Sequence, residues 1–85
     1  MAKVEIYTTK VCPYCVRAKN LLNAKDVDFV EHDLTGKDAE REALLKRSNG
    51  MRTVPQIFIN DQHIGGYDNL AELEEKGELD KLLAA

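Results

Sequence analysis

Two cysteines three residues apart are the side chains of this sequence best suited to carry out chemistry. Cys12 and Cys15 form a Cys-x-x-Cys unit, and they are the only cysteines among the 85 residues. Side chains at this spacing on a helix share a face and lie within reach of a disulfide bond. A bridge that closes so short a loop constrains the unfolded chain little, so it would stabilise a fold only weakly. We therefore interpret the pair as a redox-active dithiol.

The position of Cys12 between a predicted strand and a predicted helix divides the work between the two thiols. The free N–H groups and partial positive charge at a helix start stabilise a thiolate, so we expect the pKa of Cys12 to lie below the free value of about 8.5. Cys12 is then the nucleophile that attacks a disulfide. Cys15 lies one turn inside the helix and is the expected resolving thiol. Three neighbours are expected to support the thiolate: Lys10, Pro13 and Tyr14.

A zinc site and a structural pair of thiols are the two alternatives for a lone Cys-x-x-Cys unit. Structural zinc takes four ligands, and only His32 and His63 remain to complete a set, at spacings that do not fit. Structural cysteines rarely open a helix after a strand. We therefore expect no metal, and we expect His63, in a short edge strand, to be structural.

Length and charge restrict the class of protein. The 85 residues suffice for one domain, which we expect to span residues 1–85. A net charge of −3 argues against nucleic acid as a partner, because that role needs a basic face. The sequence has no apolar run of the 18–20 residues or so that span a bilayer and no signal-peptide pattern at its start, so we expect no membrane association and a cytoplasmic location. No large surplus of apolar surface is evident, and a monomer is expected.

The hydrophobic pattern predicts the elements that would position the cysteines. Strands are predicted over residues 3–8, 27–32, 56–59 and 62–64, and helices from residue 13, over residues 38–47 and between a cap at Asp68 or Asn69 and an end at Gly77, with a last turn or two over residues 78–83. The order is β-α-β-α-β-β-α. A β-α-β unit implies a right-handed parallel crossover, and the Asn60-Asp61 turn implies an antiparallel hairpin. The prediction is an α/β protein with a four-stranded mixed sheet flanked by helices on both faces, the thioredoxin-like arrangement.

Three short motifs carry a resemblance to a known family. In chain order they are Cys12-Pro13-Tyr14-Cys15, Thr53-Val54-Pro55 and Gly65-Gly66-Tyr67-Asp68-Asn69. Together they resemble the glutaredoxins, specifically the small bacterial dithiol type, over essentially the whole chain. The resemblance implies a glutathione-dependent thiol–disulfide oxidoreductase that reduces protein disulfides and protein–glutathione mixed disulfides. It implies glutathione as co-substrate, no tightly bound cofactor, and disulfide-containing or glutathionylated proteins as partners.

The resemblance also implies which residues meet glutathione. Pro55 is expected to follow a cis bond, and Val54 to offer backbone groups that pair with the glutathione cysteine like an added strand. The helix start after Gly66 would bind the γ-glutamyl carboxylate. Asp68 would face the ammonium group or, alternatively, only cap the helix. The expected glutathione-binding residues are Tyr14, Arg52, Thr53, Val54, Pro55, Gly66, Tyr67, Asp68 and Asn69, with Gln56 as a weaker candidate.

Two positions depart from the family pattern. Many relatives carry a lysine three residues before the first cysteine, where this chain has Thr9, and its lysine follows as Lys10. Relatives often have two acids after the Gly-Gly turn, where this chain has Asp68-Asn69, so the contact to the ammonium group is expected to be weaker. Lys10 and Arg52 are candidates for binding the glycyl carboxylate, with solvated surface charge as the alternative.

Two alternative functions stay open at this stage. One is an iron–sulfur-cluster-binding glutaredoxin-like module, which the sequence disfavours because such relatives usually carry Gly in place of Pro13 and a single active cysteine. The other is a glutaredoxin-like protein recharged by thioredoxin reductase, which the predicted groove at Gly65-Gly66-Tyr67-Asp68 disfavours.

Overall fold

The sheet at the centre of the protein consists of four short strands. In the computed structural model, which describes residues 2–84, they are β1 (Val4–Thr8), β2 (Val30–Asp33), β3 (Gln56–Ile59) and β4 (Gln62–Gly65). Their order is β2-β1-β3-β4. β1 is parallel to β2 and antiparallel to β3, and β4 is antiparallel to β3. The predicted thioredoxin-like arrangement is confirmed, and Met1 and Ala85, the ends of the expected domain 1–85, lie outside the described residues.

Four helices flank the sheet. They are α1 (Pro13–Ala24), α2 (Asp38–Arg47), α3 (Tyr67–Glu75) and α4 (Leu79–Leu83). The predicted bounds of α2 and β3 are confirmed, and the expected last turns form α4. Gly77 ends α3 as predicted: it has a φ of +71°, and the Glu78 N–H donates to the Leu73 carbonyl at 2.9 Å, which closes the turn after the helix. Among residues 2–84, no helix is both long and apolar enough to span a membrane.

The predicted start of β2 at residue 27 is wrong. Pairing with β1 begins only where Val30 lies opposite Glu5. Val27 and Phe29 pack against the core without joining the sheet. The apolar pattern over residues 27–29 therefore reported burial and not strand pairing, which periodicity alone does not distinguish.

The face of the sheet covered by α1, α3 and α4 is aliphatic. Alternate residues of a strand point to opposite faces, so β1 and β3 each send every second side chain to this side. The buried cluster there consists of Val4, Ile6, Ala18, Leu22, Ile57, Ile59, Leu70, Leu79 and Leu83. This face holds α1, and with it both cysteines, against the sheet.

The opposite face, under α2, combines aromatic rings with charge. We call Glu5, Tyr7, His32, Arg47 and Phe58 the polar–aromatic layer. The Arg47 guanidinium donates to Glu5 Oε1 at 2.9 Å and to the Tyr7 hydroxyl at 2.9 Å, and it stacks on the Phe58 ring at 3.9 Å. His32 stacks on Tyr7 with ring centroids 4.5 Å apart. The Arg47 hydrogen bond holds the pKa of Glu5 below its ordinary value of 4.5, against the opposing effect of burial.

Candidate active site

Cys12 occupies the N-cap position of α1, as its predicted place between strand and helix requires. Its backbone is extended, with φ −151° and ψ 97°, and Pro13 begins the helix. The Cys15 N–H donates to Cys12 Sγ at 3.2 Å, the bond that a Ser or Asp side chain accepts at other helix starts. A donor aimed at the sulfur stabilises negative charge there, so the geometry favours the thiolate of Cys12 once the pair is reduced.

The two cysteines differ in burial. They are joined as a disulfide, with Cα atoms 5.2 Å apart, a common Cα separation for disulfides. Cys12 is half-buried, whereas Cys15 is 1% exposed. An external disulfide therefore has access to Cys12 before Cys15, the asymmetry that the assignment of nucleophile and resolving thiol needs.

A second segment, Thr53-Val54-Pro55, lies beside Cys12. The Val54–Pro55 bond is cis, as the family resemblance implied. The Val54 carbonyl oxygen is 3.7 Å from Cys12 Sγ. Pro55 is buried and Val54 half-buried, so backbone groups of Val54 border the sulfur.

The third segment is the start of α3, where the sequence-based cap assignment is wrong. The N-cap is Gly66, and neither Asp68 nor Asn69 precedes the helix. Asn69 acts from inside the first turn, where its Oδ1 accepts the Gly66 N–H at 3.1 Å. Asp68 lies exposed in the same turn, so its carboxylate is not occupied in the capping role that was the alternative to meeting an ammonium group.

These three segments form one groove of about 280 Å³. Its walls carry two tyrosine rings, those of Tyr14 and Tyr67, with centroids 6.2 Å apart. Every expected glutathione-binding residue except Arg52 lines it. Met51 was missed by the sequence reasoning, although an apolar side chain next to Arg52 and Thr53 in an otherwise polar loop was a usable signal. The lining residues are Tyr14, Met51, Thr53, Val54, Pro55, Gly66, Tyr67, Asp68 and Asn69.

Three candidate residues lie outside the groove. Arg52 lines a neighbouring groove of about 260 Å³ against α2. Lys10 is exposed, and its backbone N–H donates to Thr35 Oγ1 at 2.9 Å. Gln56 was a weaker candidate for the groove lining, and that expectation is wrong: its side chain is 0% exposed and lies below the surface at the start of β3.

The two histidines lie on the sheet, away from the cysteines in sequence. His63 Nε2 is 2.6 Å from Gln56 Oε1, and burial lowers the pKa of His63, with the charge of Arg47 adding to the effect. His32 Nε2 is 3.2 Å from Glu5 Oε2. Within residues 2–84, no three His, Cys, Asp or Glu side chains are arranged to hold a metal ion.

Comparison with known proteins gives consistent matches. The sequence matches the family model for glutaredoxin over residues 4–64. It is 58% identical to Glutaredoxin 3 of Escherichia coli strain K12 over 83 residues, which cover 98% of this chain and 99% of that protein. It is 54% identical to the glutaredoxin of Pseudomonas aeruginosa over 85 residues, 100% of both chains. The crystal structure of the buckwheat glutaredoxin–glutathione complex superposes with a TM-score of 0.90 at 32% identity, covering 98% of this chain and 77% of that one.

Proposed function

The chain belongs to the glutaredoxin family, and from this premise we propose that it is a glutathione-dependent thiol–disulfide oxidoreductase. Its substrates are protein disulfides and protein–glutathione mixed disulfides, and glutathione is its co-substrate. The observation that carries the proposal is the junction of dithiol and groove: Cys12 Sγ is 3.7 Å from the carbonyl oxygen of Val54, a residue of the groove wall.

The reaction on a protein disulfide consists of two exchange steps and a recharge. The Cys12 thiolate attacks one substrate sulfur, the substrate S–S bond breaks, and a mixed disulfide forms while the second substrate sulfur leaves as a thiolate. The Cys15 thiolate then attacks Cys12 Sγ, which releases the first substrate sulfur and forms the Cys12–Cys15 disulfide. Two glutathione molecules reduce this bridge and leave as oxidised glutathione.

Deglutathionylation needs only Cys12. Its thiolate attacks the glutathione sulfur of the mixed disulfide, the target protein leaves as a thiolate, and glutathione stays bonded to Cys12. A second glutathione attacks that sulfur, restores the Cys12 thiolate and leaves as oxidised glutathione. The groove therefore has to hold one glutathione with its sulfur against Cys12.

The groove offers groups suited to each part of glutathione. Backbone groups of Val54 pair with the cysteine portion, in the manner of an added strand. The N–H groups at the start of α3 bind the γ-glutamyl carboxylate, and the exposed Asp68 carboxylate faces the ammonium group. The buckwheat glutaredoxin–glutathione complex, which has the same fold, supports glutathione as the ligand of this chain.

The glycyl carboxylate of glutathione needs a cationic partner. The described residues that line the groove include no Lys or Arg. Arg52 adjoins the groove through Met51 and Thr53, and Lys10 precedes Cys12 by two residues. We propose these two cations as its partners, acting from the rim.

We also propose that the protein is a monomer and that it works in the cytoplasm. The reduced glutathione pool of that compartment recharges the dithiol.

Two serine variants test the proposed division of roles. Cys12→Ser removes the nucleophile and is expected to abolish reduction of both protein disulfides and glutathionylated protein. Cys15→Ser removes only the resolving thiol, so it is expected to lose reduction of protein disulfides and keep deglutathionylation within a fewfold of wild type. Turnover is measured with glutathione as reductant, and with thioredoxin reductase in its place as the comparison. Equal loss in both variants, or recharge by thioredoxin reductase alone, would contradict the proposal.

A titration with glutathione tests the groove independently of turnover. In Cys12→Ser protein, which forms no bond to the ligand, the backbone amide signals of Val54 and Asp68 are expected to shift with glutathione concentration. The amides of Lys25 and Glu74, which lie outside the groove, serve as the control and are expected to stay unchanged. Unchanged signals at Val54 and Asp68 would remove the glutathione site and leave the dithiol chemistry in place.

A further inference from the structure

A buried amide lies directly beneath the groove wall at Val54. Gln56 is 0% exposed, and its Nε2 donates to the Thr53 carbonyl oxygen at 2.9 Å and approaches Thr53 Oγ1 at 3.4 Å. Thr53 and Gln56 flank the two residues, Val54 and Pro55, that border Cys12. The Gln56 side chain therefore connects the two ends of the segment 53–56 on its buried side.

The segment has little regular structure of its own to fix it. Residues 51–55 lie outside any helix or strand, between the end of α2 and the start of β3. Its carbonyls are instead held by buried side chains. Ser48 Oγ donates to the Met51 carbonyl at 3.1 Å at one end, and Gln56 Nε2 donates to the Thr53 carbonyl at the other. Val54 comes directly after Thr53, so the hydrogen bond from Gln56 to the Thr53 carbonyl helps to fix the position of the Val54 backbone.

The orientation of the Gln56 amide is determined by what surrounds it. The Thr53 carbonyl only accepts hydrogen bonds, so the amide nitrogen must face it and Oε1 must face His63. Because Oε1 also only accepts, the His63 Nε2 that lies 2.6 Å from it must carry a proton and donate. The His63 ring supplies that donor. Its centroid lies 5.0 Å from that of the Phe58 ring, which is on the neighbouring strand. The Thr53 carbonyl thus sets the orientation of the Gln56 amide, and the protonated His63 Nε2 supports the same orientation from the other side.

We propose that Gln56 and His63 are positioning residues for glutathione binding: His63 supports the orientation of the Gln56 amide, and Gln56 holds the Thr53 carbonyl so that the Val54 backbone groups face the bound glutathione cysteine. This inference rests on the proposed glutathione function. Neither side chain lines the groove, so both act through the Thr53-Val54-Pro55 backbone.

Substitution of Gln56 by Met tests the proposal with a side chain of similar length that makes no hydrogen bond. We expect the KM for a glutathionylated peptide to rise about tenfold, the effect of losing roughly one hydrogen bond, while kcat changes less than about twofold. The rate at which iodoacetamide alkylates reduced Cys12 is expected to stay within about twofold of wild type, because that reagent does not need the groove. Thr8→Val is the matched control: Thr8 is 1% exposed, and its hydroxyl donates to Glu31 Oε2 at 2.7 Å on the other side of β1, away from the groove. It should lower the melting temperature and leave the KM unchanged.

Two variants of His63 separate orientation of the amide from general packing. His63→Phe keeps a ring against Phe58 but removes the donor, so the KM is expected to rise severalfold. His63→Gln carries an amide donor at a similar reach and is expected to bring the KM back towards wild type. These variants keep the proposal testable if Gln56→Met does not fold.

The outcomes distinguish failure of this inference from failure of the proposed function. A wild-type protein that does not turn over the glutathionylated peptide would overturn the proposed function. An active wild type, together with Gln56→Met or His63→Phe at the wild-type KM, would overturn the positioning role alone. A KM that rises as much in Thr8→Val as in Gln56→Met, or rises equally in both His63 variants, would also overturn it, because general destabilisation would then account for the effect.

Discussion

Asn69, a neutral residue of the groove lining, stabilises the start of α3 through its side chain. Its amide oxygen accepts the Gly66 N–H at 3.1 Å and closes the first turn of α3. The turn brings the Asn69 side chain against Gly65, whose φ is +118° and where a β-carbon would overlap it. At the position where relatives often have a second acid, this chain therefore has an amide that stabilises the start of α3.

Gly65→Ala is expected to lower the free energy of unfolding by about 3 kcal/mol. The positive φ alone costs a side chain about 1–2 kcal/mol, and the overlap with Asn69 adds an overpacking cost of similar size. Gly50→Ala is the matched control, since Gly50 has a φ of +83° but nothing within 4 Å of an added β-carbon, and only the conformational cost is expected there. Urea unfolding of both variants gives the comparison, and equal losses would contradict a role for the overlap.

The double variant Gly65→Ala/Asn69→Ala isolates the contact between the two positions. Removing the Asn69 side chain relieves the overlap, so the double variant should lose less stability than the two single variants lose together. Additive losses would show that the Asn69 side chain and the new methyl group do not interfere.

At this scale, residues whose chemistry is encoded in a motif could be predicted from the sequence. A residue whose placement depends on a partner distant in sequence could not. Cys12 and Cys15 followed from spacing alone, and Val54 and Pro55 followed from a motif. Gln56 was misplaced because β3 is an inner strand that is buried on both faces, and this position depends on its pairing with β1, which lies far away in sequence.

At the scale of elements, one carboxylate of the polar–aromatic layer joins β1, β2 and α2. The Glu5 side chain is 11% exposed and receives Arg47 from α2 and His32 from β2. The guanidinium also contacts Asp61, in the turn after β3, at 3.1 Å. A charged network therefore lies beside apolar packing on this face, and α2 is attached to the sheet both by Leu44, which packs against Leu34 and Phe58, and by the hydrogen bonds of Arg47.

Glu5→Gln is expected to destabilise the fold at neutral pH by roughly 2 kcal/mol, since hydrogen bonds between charged groups contribute about 1.5–3 kcal/mol. The pKa of Glu5 is lowered in the folded state, so its contribution is present above the unfolded pKa and is lost as the pH falls through the folded pKa. The difference in stability between wild type and variant should therefore shrink below about pH 4.

Denaturant unfolding of both proteins between pH 7 and pH 3 measures this difference. Glu72→Gln is the control, because Glu72 pairs with Lys76 on the surface with both side chains more than half exposed, and no measurable change is expected at any pH. A difference between wild type and Glu5→Gln that stays constant down to pH 3 would contradict the role assigned to the Glu5 carboxylate.

The order and type of the elements could be predicted because strands and helices differ in the period of their apolar residues. Helix α2 was bounded correctly since charges of opposite sign mark its two ends and Asn49-Gly50 follow it. The start of β2 and the cap of α3 could not be predicted. The first depends on where the parallel partner begins, and the second on a back-bond from Asn69 that only the folded turn allows.

At the scale of the whole molecule, ion pairs join the end of α1 to α3 and α4. Lys25 Nζ lies 2.6 Å from Glu74 of α3 and 3.0 Å from Asp80 of α4, and these carboxylates raise the pKa of Lys25. Beneath this surface cluster, Leu79 is 0% exposed in the aliphatic core. Helix α4 thus closes the core on the side that packs α1 against the sheet.

Leu79→Ala is expected to lower the free energy of unfolding by about 3 kcal/mol through loss of buried surface and the cavity left behind. The melting temperature should fall by roughly 12–24 °C, given about 4–8 °C per kcal/mol for a domain of this size. The KM for a glutathionylated peptide should not change at 25 °C, because the described groove lining includes no residue of α4.

Leu82→Ala provides the comparison for that variant. Leu82 lies on the same helix but is only partly buried, so a loss of about 1 kcal/mol is expected. Equal thermal shifts in the two variants would contradict the placement of Leu79 in the core, and a raised KM in Leu79→Ala would show that α4 influences the groove.

The pairing of β1 with β3 also determines when a newly made chain acquires its selectivity. Val4 pairs with Ile59, and Tyr7 pairs with Gln56. The strand before the dithiol, β1, therefore gains this partner only after β3 has been synthesised. Translation produces Cys12 and Cys15 before the residues of both other groove walls. During that interval the nascent chain carries two thiols with nothing beside them to choose a reaction partner. Discrimination among disulfides therefore arises only when β3 docks against β1 and brings Val54 to the sulfur.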